Sequence, residues 1–145
     1  MKAIIQRVNS ASVTIDSKLY SKIGVGILVL LGVEKGDTQE NAEKLAKKIV
    51  TLRIFEDENK KMNKSLMDVN GEMLIVSQFT LCGDCKKGTR PSFDKSAPPE
   101  IAEELYEKFI KIVEAYNIPV KTGKFRAMMD VELINNGPVT FIIEK

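Results

Sequence analysis

The chain has 145 residues, 43% hydrophobic and 29% charged, with a formal net charge of +2. That length and balance suit one soluble globular domain with a real core, residues 1–145, and give no overall basic surface that would by itself signal nucleic acid. It contains no histidine, which excludes every catalytic arrangement that uses imidazole as base or ligand, and its two cysteines make neither a secreted disulfide framework nor a plausible zinc site. No metal or other cofactor is expected.

Lys2 to Ile15 alternates apolar and polar residues and reads as two short strands or one bent strand. Asp16 to Gly24 reads as a polar turn region. Val25 to Val33 is the best buried-strand candidate, with Gly26 and Gly32 marking close approach or bulges. It is also the longest apolar stretch, too short to span a bilayer. The N-terminus lacks a signal-peptide apolar region, so the expected location is cytoplasmic, with no membrane partner.

Asp37 and Glu40 have capping-box spacing, and Ala42, Leu45, Ala46, Ile49 and Val50 form one helical stripe behind them. Arg53-Ile54-Phe55 reads as a short strand, Asp57-Glu58-Asn59 as a hairpin turn, and Ser65 to Val69 as a brief edge strand before Asn70-Gly71.

Glu72 to Leu81 is the most informative stretch. Met73-Leu74-Ile75-Val76 suits a strand covered on both faces, and Ser77, Gln78 and Thr80 then bring hydrogen-bonding side chains into what still reads as strand. This is either a strand passing from core to rim or a site at the strand's exit, where backbone N–H groups and an amide face a ligand. Cys82 to Ala97 follows as a long irregular loop, of the kind that is more often functional than not. Its Lys86, Lys87 and Arg90 would suit a phosphate backbone, and equally a solvated loop. Cys82-Gly83-Asp84-Cys85 leads into this loop rather than a helix, so it reads as two free thiols rather than a redox pair.

Ser96 with Pro98-Pro99-Glu100 starts a second helix, whose core face is Ile101, Leu105, Phe109, Ile112, Val113 and Tyr116. Pro119 to Phe125, Met128 to Ile134 and Val139 to Ile143 read as strands, the last two divided by Asn135-Asn136-Gly137-Pro138. That tetrapeptide reads as a turn, or as a place where Gly137, with no side chain to block a ligand, exposes its carbonyl. The sum is an α/β fold: a mixed sheet or barrel-like core of about seven to eight short strands with two long helices packed on it.

Ser77-Gln78-Phe79-Thr80-Leu81 together with Asn136-Gly137-Pro138-Val139-Thr140 closely resembles the paired motifs of the D-aminoacyl-tRNA deacylase (D-tyrosyl-tRNA deacylase) family. The resemblance spans the chain, through Gln6-Arg7-Val8, Ala11-Ser12-Val13, Leu30-Leu31-Gly32-Val33, Arg53-Ile54-Phe55, Arg90-Pro91-Ser92-Phe93 and Thr122-Gly123-Lys124-Phe125. Where many members carry an acidic residue, this chain has Met128.

The resemblance implies a cytosolic homodimer, with active sites at the subunit interface, that hydrolyses the ester joining a D-amino acid to the 3′ end of tRNA. It implies a cis Gly137-Pro138 motif inserted into the partner's pocket as a chirality filter that glycyl-tRNA also passes. Arg7 would buttress that motif and Met129 would pack near it. Ser77 and Phe79 would supply backbone N–H groups, Gln78 would reach the ribose, and Phe125 would sit by the terminal adenine. Thr80 would position rather than attack, because no base is evident to activate it. Two rivals stand beside this reading: a sister enzyme acting on L-alanyl-tRNA, and a non-catalytic tRNA-binding protein of the same fold.

Overall fold

The structure is a computed structural model describing residues 1–145. Its frame is β1 (Lys2–Ile15), one 14-residue strand rather than two. A left-handed pair, Asp16 (φ 48°) and Ser17 (φ 62°), turns the chain directly into β2 (Lys18–Ile23). The stretch expected to be a long polar turn is therefore half of a hairpin, because two residues with positive φ suffice to reverse the chain. β3 (Gly26–Gly32) returns antiparallel to the first half of β1.

α1 (Gln39–Thr51) buries the expected stripe of Ala42, Leu45, Ala46, Ile49 and Val50. Its cap differs from expectation. Thr38 is the N-cap, and its N–H donates to Asn41 Oδ1 at 2.9 Å. Asp37 is occupied elsewhere, accepting from the Glu34 N–H at 2.6 Å and from the terminal amine at 2.5 Å. β4 (Phe55–Glu56) and β5 (Met62–Lys64) form the small hairpin; Leu66 to Asn70 is a turn and not an edge strand. Leu66 there is fully buried, so its apolar character reflects a turn anchored in the core.

β6 (Glu72–Ser77) lies parallel to β3 and ends four residues before the expected Leu81. Phe79–Cys82 is instead a 3-10 turn. α2 (Pro99–Glu114) buries Leu105, Phe109 and Val113, while Ile101, expected to face the core, is exposed. Asn117, at φ 58°, ends the helical turn ahead of Pro119. β7 (Val120–Thr122) pairs with β6, and β8 (Asp130–Glu144) runs as one strand along β1.

The main sheet has the order β2-β1-β3-β6-β7, with β8 on the other edge of β1. Ser21 Oγ donates to Thr122 O at 2.8 Å, tying β2 to β7 and nearly closing the sheet into a barrel. β3 and β6 are apolar on both faces for a physical reason. Ile27, Val29, Leu31, Met73 and Ile75 pack under the helices, whereas Leu28, Leu74 and Val76 fill the barrel with Val8, Val13 and Ile23. Gly26 allows the closest approach in this pair: a Cβ there would stand 1.9 Å from Glu72 O.

Asn135 to Pro138, expected to divide two strands, lies inside β8. Gln6 pairs with Thr140 and Val8 with Asn135, so Asn136 to Val139 all lie opposite Arg7 and bulge out of the ladder. Strong turn residues here make a bulge instead of a reversal because β1 pairs with β8 on either side of it.

Candidate active site

A cavity of about 690 Å³ opens where β6 leaves the sheet. Ser77, Gln78 and Phe79 form one wall, and Phe125, Met129 and Val131 form the other. Its floor is Val33 and Val76, and the start of α2 closes it at Pro99 and Ala102. This is the volume of an ordinary small-ligand site, apolar with a few convergent polar groups.

The sharp end of β6 places those polar groups. The Gln78 N–H donates to Leu31 O at 2.8 Å, so the backbone remains tied to β3 for one residue beyond the strand. The 3-10 turn then swings Phe79 outward, leaving it 56% exposed at the cavity rim. Gln78 Nε2 donates to Thr80 Oγ1, joining two of the candidate residues. Thr80 is itself exposed, and its hydroxyl has an amide beside it rather than a base.

Phe125 is held from below. Tyr106 packs on it with ring centroids 5.8 Å apart and donates its buried hydroxyl to Ile75 O at 2.8 Å. Burial pushes the Tyr106 phenol well above its ordinary pKa, so it stays a neutral donor. Sequence reading singled out neither Tyr106 nor Ala102, and it took Ser96 and Pro99 only as the start of a helix and Ala97 only as the end of a loop. The available signal was their place on, or just before, an amphipathic helix.

Arg7, Gly137 and Pro138 lie elsewhere. Gly137 stands six positions beyond Val131 along β8, and none of Arg7, Gly137 and Pro138 lines the cavity. Arg7 is buried at 5% exposure, and its guanidinium holds the bulge. Nε donates to Asn136 O at 2.9 Å, Nη2 to Asn136 Oδ1 at 3.4 Å, and Nη1 to Ile54 O at 2.7 Å. Asn135 Oδ1 accepts the Val139 N–H at 2.7 Å, and Asn136 Nδ2 donates to Asn9 Oδ1 at 2.6 Å. The two asparagines, read in the sequence as turn formers, therefore knit the bulge together. Gly137 and Pro138 stand exposed at its tip, joined by a cis peptide bond. Gly137 has φ 134°, and a Cβ on it would meet Val139 Cγ2 at 2.7 Å.

Met129 lines the cavity, where it lies against Gly123 and packs with the barrel interior. Met128 is 91% exposed and also borders the cavity. Cys82 is buried with its thiol pKa pushed up by burial, and Cys85 is exposed; both are free. No cluster of three or more His, Cys, Asp or Glu side chains is placed to hold a metal, and no helix is long and apolar enough to cross a membrane.

The family model described as D-Tyr-tRNA(Tyr) deacylase matches residues 4–144. The chain is 60% identical over 144 residues to a D-aminoacyl-tRNA deacylase of Desulfatibacillum aliphaticivorans, covering 99% of each. It is 57% identical to that of Thermosipho africanus, covering 99% of this chain and 97% of the relative. A solved structure described as c-Myc DNA Unwinding Element Binding Protein superposes with TM-score 0.95 at 46% identity, over 100% of this chain and 99% of the other. A second, described as a probable eukaryotic D-amino acid tRNA deacylase, shares the fold with TM-score 0.82 at 18% identity, over 99% and 98%. A match over nearly every residue, joined to a cavity at the exit of β6 and an arginine-braced Gly-Pro bulge, places this chain in the D-Tyr-tRNA(Tyr) deacylase family.

Proposed function

We propose that this chain is a D-aminoacyl-tRNA deacylase: it hydrolyses the ester between a D-amino acid and the 3′ end of tRNA and so removes the wrong enantiomer before translation. The observation that carries the reading is the cavity at Ser77-Gln78-Phe79, in a chain 60% identical along its length to a deacylase of that name.

An aminoacyl ester is already activated, and the neighbouring ribose hydroxyl can help water attack. The protein then has to position the ester and stabilise the oxyanion, which a histidine-free site can do. Backbone N–H groups around Ser77 and Phe79 meet the ester, Gln78 reaches the ribose hydroxyl, and Phe125 stacks on the terminal adenine. Thr80 holds Gln78 in place and does not attack.

Gly137 and Pro138 act as the chirality filter in a cytoplasmic homodimer. Two features support this: the pair is exposed at the tip of a braced bulge, and it does not line its own chain's cavity. A second copy facing the first brings the tip of one to the cavity of the other. Their carbonyls then exclude an L-side chain and hold the amino group of the D-substrate. Glycyl-tRNA, which has no side chain, passes the same filter.

The test is deacylation of D-tyrosyl-tRNA and L-tyrosyl-tRNA side by side with purified protein. Rapid loss of the D-ester with the L-ester spared is the expected result. Equal cleavage of both overturns the filter, and binding without turnover of either overturns the enzyme reading.

A further inference from the structure

The loop from Cys82 to Ala97 contributes little to the cavity, yet it carries several cations that form no ion pair. Some surface lysines are paired, Lys44 with Glu40 at 2.6 Å, Lys64 with Glu58 at 2.5 Å and Lys108 with Glu104 at 2.7 Å, and others such as Lys47, Lys61 and Lys121 are not, so what sets this loop apart is its position beside the cavity. Lys86, Lys87, Arg90 and Lys95 are all exposed, and none forms an ion pair. The acids within the same loop are only Asp84 and Asp94.

Lys86 and Lys95 border a second cleft of about 450 Å³, with Lys2, Cys82, Gly83 and Asp84. Backbone bonds fix its rim. Asp84 and Ser92 exchange N–H to carbonyl bonds at 2.7 and 3.0 Å, and Lys95 O accepts the Lys35 N–H at 2.9 Å. Asp84 Oδ1 accepts the Lys86 N–H at 2.9 Å, so the one acid in the cleft is engaged with the loop backbone. Lys2 is the occupied member of the set, 3.1 Å from Glu34 and 3.7 Å from Glu144. Lys86 and Lys95 remain free to meet an anion.

This cleft shares a wall with the active-site cavity. Phe79 borders the cavity and Cys82 borders the cleft, and the 3-10 turn between them spans roughly 6 Å at about 2 Å per residue. Ser96 and Lys95, adjacent in the chain, divide in the same way. On the ridge between the two, Phe79 and Phe93 stand with centroids 5.0 Å apart, both partly exposed. Unpaired cations beside exposed aromatic rings form the surface that single-stranded nucleic acid uses, charge tracking the backbone and rings taking base faces.

We propose that the Lys86–Lys95 cleft docks a backbone phosphate of the single-stranded 3′ arm of the tRNA, just upstream of the nucleoside whose ester lies in the cavity. The proposal rests on the deacylase reading of that cavity. It makes the loop a substrate-binding element that acts on affinity and leaves the chemistry to the β6 exit.

The experiment compares wild type with Lys86→Ala/Lys95→Ala on two substrates, D-tyrosyl-tRNA and D-tyrosyl-adenosine, the latter carrying the ester with no phosphodiester. The Kd for uncharged tRNA is measured across a salt series in parallel. The double variant is expected to raise KM for the tRNA ester about tenfold with kcat unchanged, and to lower the salt slope of binding by about one. Hydrolysis of D-tyrosyl-adenosine should not change. Lys44→Ala/Lys108→Ala, which removes two paired lysines from the helices, should leave every value as it was. An unchanged tRNA KM and salt slope in the loop variant overturns the cleft while leaving the deacylase reading intact. Equal loss on both substrates overturns it too, because the lysines would then act through the cavity. If wild type cleaves neither ester the deacylase reading fails, and the cleft stands or falls on whether the loop variant weakens tRNA binding.

Discussion

The cavity at the end of β6 and the bulge at the middle of β8 are built on opposite principles. The cavity is a concave, mostly apolar space whose walls come from a strand end, a 3-10 turn and the start of a helix. The bulge is a convex, exposed tip held from behind by one buried guanidinium and two asparagine side chains. A cavity accepts shape; a braced tip presents backbone atoms at fixed positions. The chirality filter proposed above uses both, and neither Gly137 nor Pro138 lines the cavity of its own chain. The division is also one of chemistry: the side-chain polar network at the bulge stands apart from the mostly apolar cavity.

The largest effect should come from Arg7→Ala. It leaves Asn136 O and Ile54 O without their donor and opens a buried space, at a cost of about 3 kcal/mol in a urea titration. Deacylation of D-tyrosyl-tRNA should fall by more than about a hundredfold, more than unfolding alone explains. Arg7→Lys keeps the charge but cannot reproduce the forked donation, so recovery of full activity would show that charge, and not geometry, is what the bulge needs.

Gly137→Ala ranks next. A Cβ at φ 134° is strained by about 1–3 kcal/mol and meets Val139 at 2.7 Å, so the tip must move. The ratio of D- to L-tyrosyl-tRNA cleavage should collapse while the cavity remains able to bind. An unchanged ratio would separate the tip from the filter.

Thr80→Ala tests the cavity side. Its hydroxyl is bonded to Gln78 and faces no base, so single-turnover deacylation should fall by less than about tenfold, the scale of one lost positioning bond. Complete loss with intact folding would make Thr80 a nucleophile. Smallest of all is Cys82→Ser/Cys85→Ser, expected to leave D-tyrosyl-tRNA turnover within about twofold of wild type. Cys82 is buried with its thiol kept protonated and Cys85 lies outside the cavity, so loss of activity would restore a redox role.

The two regions also differ in how far they were legible beforehand. Met73 to Val76 announced a strand covered on both faces, and the switch to Ser77-Gln78 announced its exit, because burial and polarity are written residue by residue. The 3-10 turn at Phe79–Cys82 was not legible, since alternating Phe79, Thr80 and Leu81 satisfies a strand pattern just as well. Asn135 to Pro138 misled in a more instructive way. Its residues promise a chain reversal, and locally they do break the ladder, but pairing of Gln6 with Thr140 and Val8 with Asn135 keeps both flanks in register.

What the sequence determined by itself was composition of layers: the stripe of α1, the doubly buried β3 and β6, and an absence of imidazole that leaves the chemistry to carboxylates, lysines, hydroxyls, backbone amides or the substrate. Those are properties of neighbours along the chain, carried by periodicity and residue type. Only the tertiary structure decided that Arg7 lies under Asn136, 129 positions away, that Tyr106 supports Phe125, and that Lys86 and Lys95 share one cleft. Each depends on strand register and helix docking, which the summed burial of the whole core selects and no local pattern encodes.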